Sequence, residues 1–415
     1  MTTPTPIPPA ILAEAKRQHA ILSHGVAAIY PSTGVHGPDG LFDKLVQALQ
    51  ENRPLKIKLG ADPTRPDLHI GHGIVLESLK KFQALGHMAQ FLIGGYTTRI
   101  GDPTGRNTTR PPLTPEEIKA NSATYMQQVF TVLNNDPATV CLMNNEDWLA
   151  NLSFADLLKL CGQVTVAQII QREDFANRLA SNTAIGLHEL LYPIMQGFDS
   201  IAMECDIELG GTDQTFNCLM GRQLMHARGM SPQIVITFPL LEGLDGVEKM
   251  SKSKDNYIGL AETPNDMYGK TMSIPDTLIH RWYDLLTTVP ASAREADPYK
   301  AKRALAKLIT ARYHGEAEAD KAEAYFTQRF SEKKMDVDAP VISLTAADLA
   351  LPMVDFLVAQ GAAKSKSDAR RLIEQKGVKL DGIAVTDGMA TLANLLTTST
   401  ATLTVGKLFM RKLQR

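Results

Sequence analysis

The stretch that decides the fold runs from residue 55 to residue 95 and reads LKIKLGADPTRPDLHIGHGIVLESLKKFQALGHMAQFLIGG. Its first five residues alternate between apolar and charged side chains, which predicts a strand that leads into a turn rich in proline and aspartate. From His69 to Gly86, apolar residues recur every three or four positions, which predicts a helix. Residues 88–93 predict a second, buried strand. A strand, a crossover helix and a strand form a βαβ unit, so the sequence predicts an α/β fold with a parallel sheet.

The rest of the chain extends this pattern and then changes it. Helices are predicted from the capping box at 114–117, over 146–180, over 188–203 and over 213–227, and strands over 207–209 and 233–241. After Pro264 the strand signals fade, and the chain up to Phe330 predicts helices. From Leu351 onward, a basic helix and short β-like segments predict a small α+β module.

The composition is that of a soluble globular protein of two or three domains. The chain has 415 residues, of which 44% are hydrophobic and 21% are charged. No apolar run approaches the roughly 18 residues that a membrane span needs, and the first residues, MTTPTPIPPA, do not predict a secretory signal. Four cysteines without CxxC spacing predict reduced thiols and a cytoplasmic location.

The net charge of −2 hides an uneven distribution. From Leu351 onward the chain holds ten lysines and arginines but five acidic residues, a net charge of +5, so the residues before it carry −7. A basic C-terminal module on an acidic body favours a nucleic-acid partner. A merely solvated basic surface is the alternative interpretation.

Two histidines lie where the first strand passes into its helix. His69 and His72 share a helix face in the first turn, where free backbone N–H groups favour anions, and Gly71 leaves room for a flat group. This pattern suits a nucleotide, although such a pair also occurs by chance. No third histidine or cysteine at ligand spacing suggests a metal site, and no metal is predicted. The chain lacks a P-loop, and it lacks a dinucleotide fingerprint.

A second basic segment, Lys249-Met250-Ser251-Lys252-Ser253, follows the strand predicted at 233–241. Two lysines and two hydroxyls on a mobile loop can close over a polyphosphate and neutralise the charge that grows on a leaving pyrophosphate. The alternative for these five residues alone is a solvated basic loop.

Together, HIGH at 69–72 and KMSKS at 249–253 resemble the two signatures of class I aminoacyl-tRNA synthetases. Further stretches narrow the resemblance to the tyrosyl-tRNA synthetase family, in its bacterial type with a C-terminal RNA-binding module. The resemblance implies a Rossmann-like catalytic domain, a helical domain and a small α+β RNA-binding domain. It implies tyrosine–tRNA ligase activity, in which L-tyrosine and ATP give tyrosyl-adenylate and pyrophosphate before tyrosine passes to the 3′-terminal adenosine of tRNA(Tyr).

The amino-acid pocket is predicted from one helix face. Tyr192, Gln196 and Asp199 are spaced i, i+4 and i+7, so they share a side of the helix at 188–203. A narrow polar stripe of this kind commonly faces solvent. In the family, however, the pattern resembles the tyrosine pocket, which implies that Tyr192 and Gln196 contact the α-amino group and that Asp199 accepts the phenolic proton. A buried carboxylate placed there rejects phenylalanine, because it would be left without its partner.

Further site residues follow from the resemblance. Asp213, in Gly-Gly-Thr-Asp-Gln at 210–214, would bind the ATP ribose and Gln214 the tyrosine moiety, while the turn alone would predict only a helix cap. Asp102 would pair with the substrate ammonium and Thr97 would line the pocket. ATP would also contact Asp62, Thr64, His69, Gly71, His72, Arg106, Arg110, Lys249, Ser251 and Lys252. Catalysis is assigned to His69, His72, Lys249 and Lys252, with Mg²⁺ arriving on ATP and no protein-bound metal.

Three residues depart from the family pattern. Lys58 stands where many members have a tyrosine beside the phenol, which implies that Asp199 shares phenol recognition with a different group. Thr98 and Arg99 replace a glycine and an apolar residue, which alters the expected wall of the pocket.

The resemblance also divides the chain. It implies a catalytic domain at 1–256 with a dimerisation insertion at about 115–190, a helical anticodon-binding domain at 257–335, a linker at 336–350 and an RNA-binding domain at 351–415. Lys364, Lys366, Arg370 and Arg371 would contact tRNA phosphates. A homodimer is expected, with no membrane partner.

Three alternatives remain open at this point. A tryptophanyl enzyme is disfavoured by Asp199 and by the C-terminal module. A small-molecule nucleotidyltransferase can carry an HxGH turn, but it needs neither KMSKS nor an RNA-binding module. A catalytically silent RNA-binding paralogue would be expected to have lost a signature residue, and both signatures are intact.

Overall fold

The computed structural model describes residues 7–104, 113–328, 340–396, 398–406 and 409–415. The chain divides into two compact units, with the boundary between Phe326 and Thr327. Arg106 and Arg110, predicted to contact ATP, lie outside the described residues.

The first unit is built on a six-stranded sheet with the strand order β1-β6-β5-β2-β3-β4. The strands are β1 (Ala28–Tyr30), β2 (Lys56–Ala61), β3 (Met88–Ile93), β4 (Val140–Asn144), β5 (Ile207–Gly211) and β6 (Ile234–Phe238). Strands β2 to β6 pair in parallel, whereas β1 runs antiparallel to β6. The predicted parallel sheet is therefore confirmed, with one antiparallel edge.

Helices cover and extend this sheet. They are α1 (Pro9–Leu22), α2 (Gly40–Glu51), α3 (Ile70–Ala84), α4 (Thr97–Ile100), α5 (Pro115–Val129), α6 (Glu146–Leu149), α7 (Phe154–Cys161), α8 (Val166–Ile169), α9 (Glu173–Ala180), α10 (Tyr192–Met203), α11 (Thr215–Ala227), α12 (Pro264–Met272), α13 (Ile279–Leu286), α14 (Pro298–His314) and α15 (Glu316–Phe326).

The βαβ unit forms as the periodicity predicts. Helix α3 buries Val75, Leu79 and Phe82 against the sheet, because residues at these spacings share one helix face. The helix ends at Leu85, and Gly86 follows with a φ of 86°, a conformation that glycine adopts without strain. Strands β2, β3 and β5 end side by side at one edge of the sheet, where ligands gather in folds of this type.

The predicted insertion at about 115–190 differs from the structure. Helix α5 and strand β4 belong to the sheet layer, since β4 pairs with β3 from Ala89 to Ile93. Helices α6 to α9 follow β4, and the part of the predicted insertion that lies outside the sheet layer falls on them. Sequence periodicity missed β4 because four of its five residues are not buried, so it lacks the apolar signal of a central strand.

The helices at 264–326 share one hydrophobic core with the sheet. Met267, Trp282 and Leu305 are buried in the same cluster as Phe82 and Phe91, at a gain of about 1.5–3 kcal/mol for each large apolar side chain. The helical nature of this segment is confirmed. Its predicted boundary at residue 257 is not a break between compact units, which falls after Phe326 instead.

The second unit has a five-stranded sheet with the order β7-β11-β10-β8-β9. Its strands are β7 (Val341–Ser343), β8 (Val378–Leu380), β9 (Ile383–Ala384), β10 (Thr400–Val405) and β11 (Phe409–Gln414), and its helices are α16 (Ala346–Ala350), α17 (Met353–Ala359), α18 (Lys366–Glu374) and α19 (Leu392–Leu395). The predicted α+β module is confirmed.

The predicted linker at 336–350 is wrong for its described part. Strand β7 pairs in parallel with β11, and Leu344 and Leu349 pack against the core of the second unit. Residues 340–350 are therefore structured parts of this unit. Residues 336–339 lie outside the described part of the chain.

Within the described residues, every helix is too short or too polar to cross a lipid bilayer.

Candidate active site

A cavity of about 770 Å³ opens at the carboxyl edge of the first sheet. Fifteen of the residues predicted for catalysis and for ATP and tyrosine binding line it: Asp62, Thr64, His69, Gly71, His72, Thr97, Asp102, Tyr192, Gln196, Asp199, Asp213, Gln214, Lys249, Ser251 and Lys252. They come from segments up to 190 residues apart, so only the fold brings them together.

The two histidines form the start of helix α3. His69 is the N-cap, and its backbone N–H donates to Nδ1 of His72 at 3.2 Å. The two rings lie 3.8 Å apart between centroids. A side chain at Gly71 would come within 2.9 Å of His69 Nδ1, so this glycine leaves space for the His69 ring.

Both imidazoles are neutral at physiological pH. Burial, together with the positive charges of Lys252 and Lys249, lowers the pKa of His69 to about 3. Burial also lowers the pKa of His72 well below its usual value, and the neighbouring His69 adds to this shift. The pair therefore offers ring nitrogens for hydrogen bonding and no fixed positive charge.

The positive charge of the site comes from the KMSKS loop. Lys249 Nζ lies 2.8 Å from Asp213 Oδ2, and Lys252 Nζ donates to the hydroxyl of Tyr125 while it lies 4.8 Å from the centroid of that ring. Met250 is buried and its N–H donates to Leu241 O at 2.7 Å. The loop is thus anchored by its apolar residue and presents both lysines to the cavity.

The two signature segments are joined through their backbones. The N–H of Ile70 donates to Ile258 O at 3.0 Å, and the N–H of Leu260 donates to Leu68 O at 2.8 Å. His69 and Gly259 accordingly form an antiparallel bridge. The chain leaving the KMSKS loop is therefore fixed to the chain entering helix α3.

Asp62 links three elements at the edge of the sheet. Its carboxylate accepts a hydrogen bond from Thr97 Oγ1 at 2.8 Å and another from the Tyr192 hydroxyl at 3.0 Å. A side chain at Gly94 would collide with the Asp62 carboxylate, so this glycine permits the link. Burial, and then the charges of Asp62 and Asp102, raise the pKa of Tyr192 well above its usual value, which keeps its hydroxyl neutral.

Asp102 contacts the predicted Gln214 and also two residues that the sequence analysis did not foresee, Thr104 and Arg172. It accepts from Gln214 Nε2 at 2.8 Å and from the backbone N–H of Thr104 at 2.9 Å, and it pairs with Arg172 at 3.2 Å. Burial alone would raise the pKa of Asp102, but Arg172 and these hydrogen bonds hold it below its usual value. The predicted ligand of the substrate ammonium is therefore a carboxylate that stays ionised.

Asp199 is a buried member of the cavity lining. It is 2% exposed, and its carboxylate accepts from Trp148 Nε1 at 2.8 Å and from Asn145 Nδ2 at 3.2 Å. Burial raises the pKa of Asp199 to about 6, although Lys58 and the two donors oppose the shift. Neither Trp148 nor Asn145 was predicted, because nothing in their local sequence marks them.

The three departures from the family pattern have distinct surroundings. Lys58 is buried and pairs with Glu208 at 2.8 Å. Thr98 is buried and donates to the carbonyl of Gly94 at 2.6 Å. Arg99 pairs with Glu146 at 2.5 Å and lies over the ring of Tyr96, away from the cavity lining.

In the second unit, the four predicted tRNA contacts are exposed on and just before helix α18. Lys366 pairs with Asp355 at 2.5 Å and Arg371 with Asp368 at 2.7 Å. Exposed pairs of this kind contribute about 0–1 kcal/mol, so the cations remain available to a phosphate.

The family model of class I tRNA synthetases (W and Y) matches residues 50–331, and that of the S4 domain matches residues 352–388. The sheet, the cavity at its edge and the two signature segments are thus those of a class I tRNA synthetase.

Among similar proteins, the tyrosine–tRNA ligase of Carboxydothermus hydrogenoformans is 46% identical over 90% of this chain and 92% of its own. That of Moorella thermoacetica is 47% identical over 90% of this chain and 91% of its own. The chain belongs to the tyrosine–tRNA ligases.

Solved structures show the same fold. A truncated mitochondrial tyrosyl-tRNA synthetase of Aspergillus nidulans aligns with a TM-score of 0.61 at 23% identity, over 77% of this chain and 98% of its own. A tryptophanyl-tRNA synthetase of Plasmodium falciparum aligns with a TM-score of 0.52 at 15% identity, over 69% of this chain and 83% of its own. The fold alone therefore does not distinguish the two amino acids.

Proposed function

We propose that the cavity activates L-tyrosine with Mg-ATP and then transfers the tyrosyl group to the 3′-terminal adenosine of tRNA(Tyr). The observation that carries this proposal is the convergence, in one cavity, of fifteen site residues that the sequence analysis named from separate stretches of the chain. The lining of the cavity combines a buried carboxylate, Asp199, with two partly exposed lysines, Lys249 and Lys252, which suits a phenol at the first and a polyphosphate at the second.

Tyrosine is held at both of its ends. Asp199 accepts the phenolic O–H, since its two existing donors leave a lone pair free. Asp102 pairs with the substrate ammonium, which also donates to the side-chain oxygens of Tyr192 and Gln196. Thr97 holds the carboxylate of Asp62 in place by a hydrogen bond, and Gln214 does the same for Asp102. This arrangement points the substrate carboxylate towards the histidines of helix α3.

In the first step, a carboxylate oxygen of tyrosine attacks the α-phosphorus of ATP, and the bond from that phosphorus to the α,β-bridging oxygen breaks, so that the β- and γ-phosphates leave as pyrophosphate. The chain supplies position and charge and forms no covalent intermediate. Neutral His69 and His72 hydrogen-bond the phosphates, and Lys249 and Lys252 neutralise the leaving pyrophosphate. Asp213 binds the ribose hydroxyls. Because Asp213 is paired with Lys249 in the structure, Lys249 must leave it and pair with the phosphates when ATP binds. The remaining proposed ATP contacts are Asp62, Thr64, Gly71, Ser251, Arg106 and Arg110.

In the second step, a ribose hydroxyl of the tRNA attacks the tyrosyl carbonyl carbon, and AMP leaves. We propose that Lys364, Lys366, Arg370 and Arg371 bind tRNA phosphates from the S4 unit, which is supported by their exposure and by the net positive charge of that unit. The helices at 264–326 are proposed to face the anticodon.

We also propose a homodimer that forms through the inserted helices. Phe154 and Leu158 lie one turn apart on helix α7 and are 73% and 57% exposed. Val166 on α8 and Leu179 on α9 are exposed as well. Large apolar side chains exposed together on neighbouring helices are typical of a protein interface. The free cysteines suit a reducing compartment, for which we propose the cytoplasm.

Amino-acid-dependent exchange of pyrophosphate into ATP tests the first step. Tyrosine alone among the twenty amino acids is expected to support rapid exchange. H72A and K249A should lower the exchange rate by about 10²-fold or more while tyrosine affinity changes little, because both residues act on the phosphates. K321A, which removes an exposed lysine from helix α15, is the matched control. Unchanged exchange in both H72A and K249A would refute the assigned mechanism.

A further inference from the structure

A buried ion pair lies in the lining of the cavity, next to the helix that carries Asp199. Lys58 on β2 and Glu208 on β5 stand opposite each other in the strand register, with 2.8 Å between Nζ and Oε1. Their side chains are 1% and 2% exposed, and both residues line the cavity. Burying two charges costs several kcal/mol for each ion, so a pair at this position calls for a reason beyond stability.

The lysine is fixed against the helical turn that carries Asp199. Its Nζ donates to the carbonyl oxygen of Gln196 at 3.0 Å and to Ser200 Oγ at 2.8 Å, and these residues flank Asp199 on helix α10. With Glu208 as its third partner, the ammonium has used all three of its donors. Lys58 therefore acts on Asp199 through its charge and does not reach the substrate.

The pKa values reflect this arrangement. Burial alone would lower the pKa of Lys58, but the charges of Glu208 and Asp199 raise it above its usual value. For Asp199, burial raises the pKa, the charge of Lys58 lowers it, and Glu208 raises it by the smallest contribution. An ionised Asp199 is a strong acceptor for a phenolic O–H.

We propose that the Lys58–Glu208 pair sets the ionisation of Asp199, and that through this effect it makes the pocket selective for tyrosine over phenylalanine. The inference rests on the proposed role of Asp199 as the phenol acceptor. Lys58 is in this account a positioning residue, which acts on the phenol only through Asp199.

Apart from Asp199, the groups around helix α10 whose pKa values are shifted are held in one protonation state between pH 5 and 8. The thiols of Cys205 and Cys218 are neutral, because burial raises the pKa of each. Asp102 stays ionised beside Arg172. Glu189, just before the helix, is paired with Arg178. Changes in tyrosine affinity over this pH range therefore report on Asp199.

The test measures the tyrosine dissociation constant by equilibrium dialysis with labelled tyrosine, on the full chain without ATP, from pH 5 to pH 8.5. Affinity is lost as the pH falls through the pKa of Asp199, so the wild-type midpoint is expected near pH 6. Three proteins are compared: the wild type, E208Q and the double variant K58M/E208Q.

The two variants should move the midpoint in opposite directions. E208Q removes a negative charge and leaves Lys58 facing Asp199, so the midpoint should fall, by less than the rise expected of the double variant. K58M/E208Q removes both charges, and because the effect of Lys58 is the larger one, its midpoint should rise by about one pH unit. At pH 6 this double variant should bind tyrosine about fivefold more weakly than the wild type. Neutral replacement of a buried pair is usually tolerated, so the double variant keeps the test decisive if E208Q does not fold.

Two controls distinguish an effect of charge on tyrosine binding from a general structural effect. S200A removes an uncharged partner of Lys58, so it should change affinity by one factor at every pH and leave the midpoint in place. Phenylalanine lacks the hydroxyl, so its binding should not weaken as the pH falls. At pH 6 the ratio of tyrosine affinity to phenylalanine affinity should therefore be smallest in K58M/E208Q.

Equal midpoints in the three proteins, or a loss of affinity that is the same at every pH, would overturn the inference and leave the pair a structural one. Failure of the wild type to bind tyrosine at pH 8 would instead refute the proposed function, and the inference with it.

Discussion

At the scale of single residues, His87 couples the stability of the first unit to pH. It is buried just before strand β3, where Nδ1 accepts from the N–H of Leu55 at 3.2 Å and Nε2 lies 3.2 Å from Gln18 Oε1. Burial lowers the pKa of His87 to about 4. Protonation would cost the bond to Leu55, so the folded state favours the neutral ring.

The sign of the pH effect follows from that shift. Below pH 6.5 the unfolded chain binds a proton at His87 that the folded chain does not, so the free energy of unfolding falls as the pH drops from 6.5 to about 4. The loss is at most about 1.4 kcal/mol for each pH unit. Urea unfolding at pH 7, 6 and 5 should show a smaller decline in H87N than in the wild type. Parallel declines in both proteins would contradict the assignment.

The residues of the site differ in how well the sequence predicts them. His69, His72, Lys249 and Lys252 lie in contiguous signatures, so their identity is readable before any fold is known. Arg172 and Glu208 lie far along the chain from their partners, and their own neighbours carry no signal. Their roles depend on which strands are adjacent, which a single sequence does not specify.

At the scale of elements, helix α7 is expected to hold two protomers together. Replacing Phe154 and Leu158 by aspartate should convert the dimer to a monomer, because each charge would be buried without a partner in the interface. Light scattering coupled to size-exclusion chromatography measures the mass. V35D places the same charge at an apolar residue that is 85% exposed outside these helices and should leave the mass unchanged. If the double variant kept the wild-type mass, this face of helix α7 would not be the dimer interface.

The elements that the sequence missed have a common physical cause. Strands β1 and β7 are three residues long, and β1 and β4 lie at the two edges of their sheet. An edge strand hydrogen-bonds on one side and buries little, so neither length nor apolar alternation reveals it. Strands β3 and β6 are almost wholly buried and β2 buries its middle residues, and the sequence predicted all three.

At the scale of the whole molecule, we expect the first unit to activate tyrosine without the second unit, whereas tRNA charging should need both units. Deleting residues 340–415 removes the described part of the second unit, including β7 and α16, and should leave pyrophosphate exchange within about twofold of the wild type. Charging of tRNA should lose about tenfold or more in kcat/KM, since the phosphate contacts are lost. Equal loss of both activities would show that the first unit depends on the second.

A charge variant gives the same comparison without a deletion. R370E/R371E should impair charging and weaken its dependence on salt, because fewer counterions are released on binding. Exchange should remain at the wild-type rate. Normal charging of tRNA by this variant would show that helix α18 does not contact the tRNA.

The backbone bridge between His69 and Gly259 has a mechanical consequence. Met250 and the segment from Ile258 to Leu260 are each hydrogen-bonded to neighbouring backbone of the first unit, so residues 251–257 lie between two fixed points. Lys252 lies within this short span and Lys249 directly before it, so we expect neither lysine to move far from the cavity. The spacing between the histidines and the lysines is therefore expected to be set by the fold before a nucleotide binds.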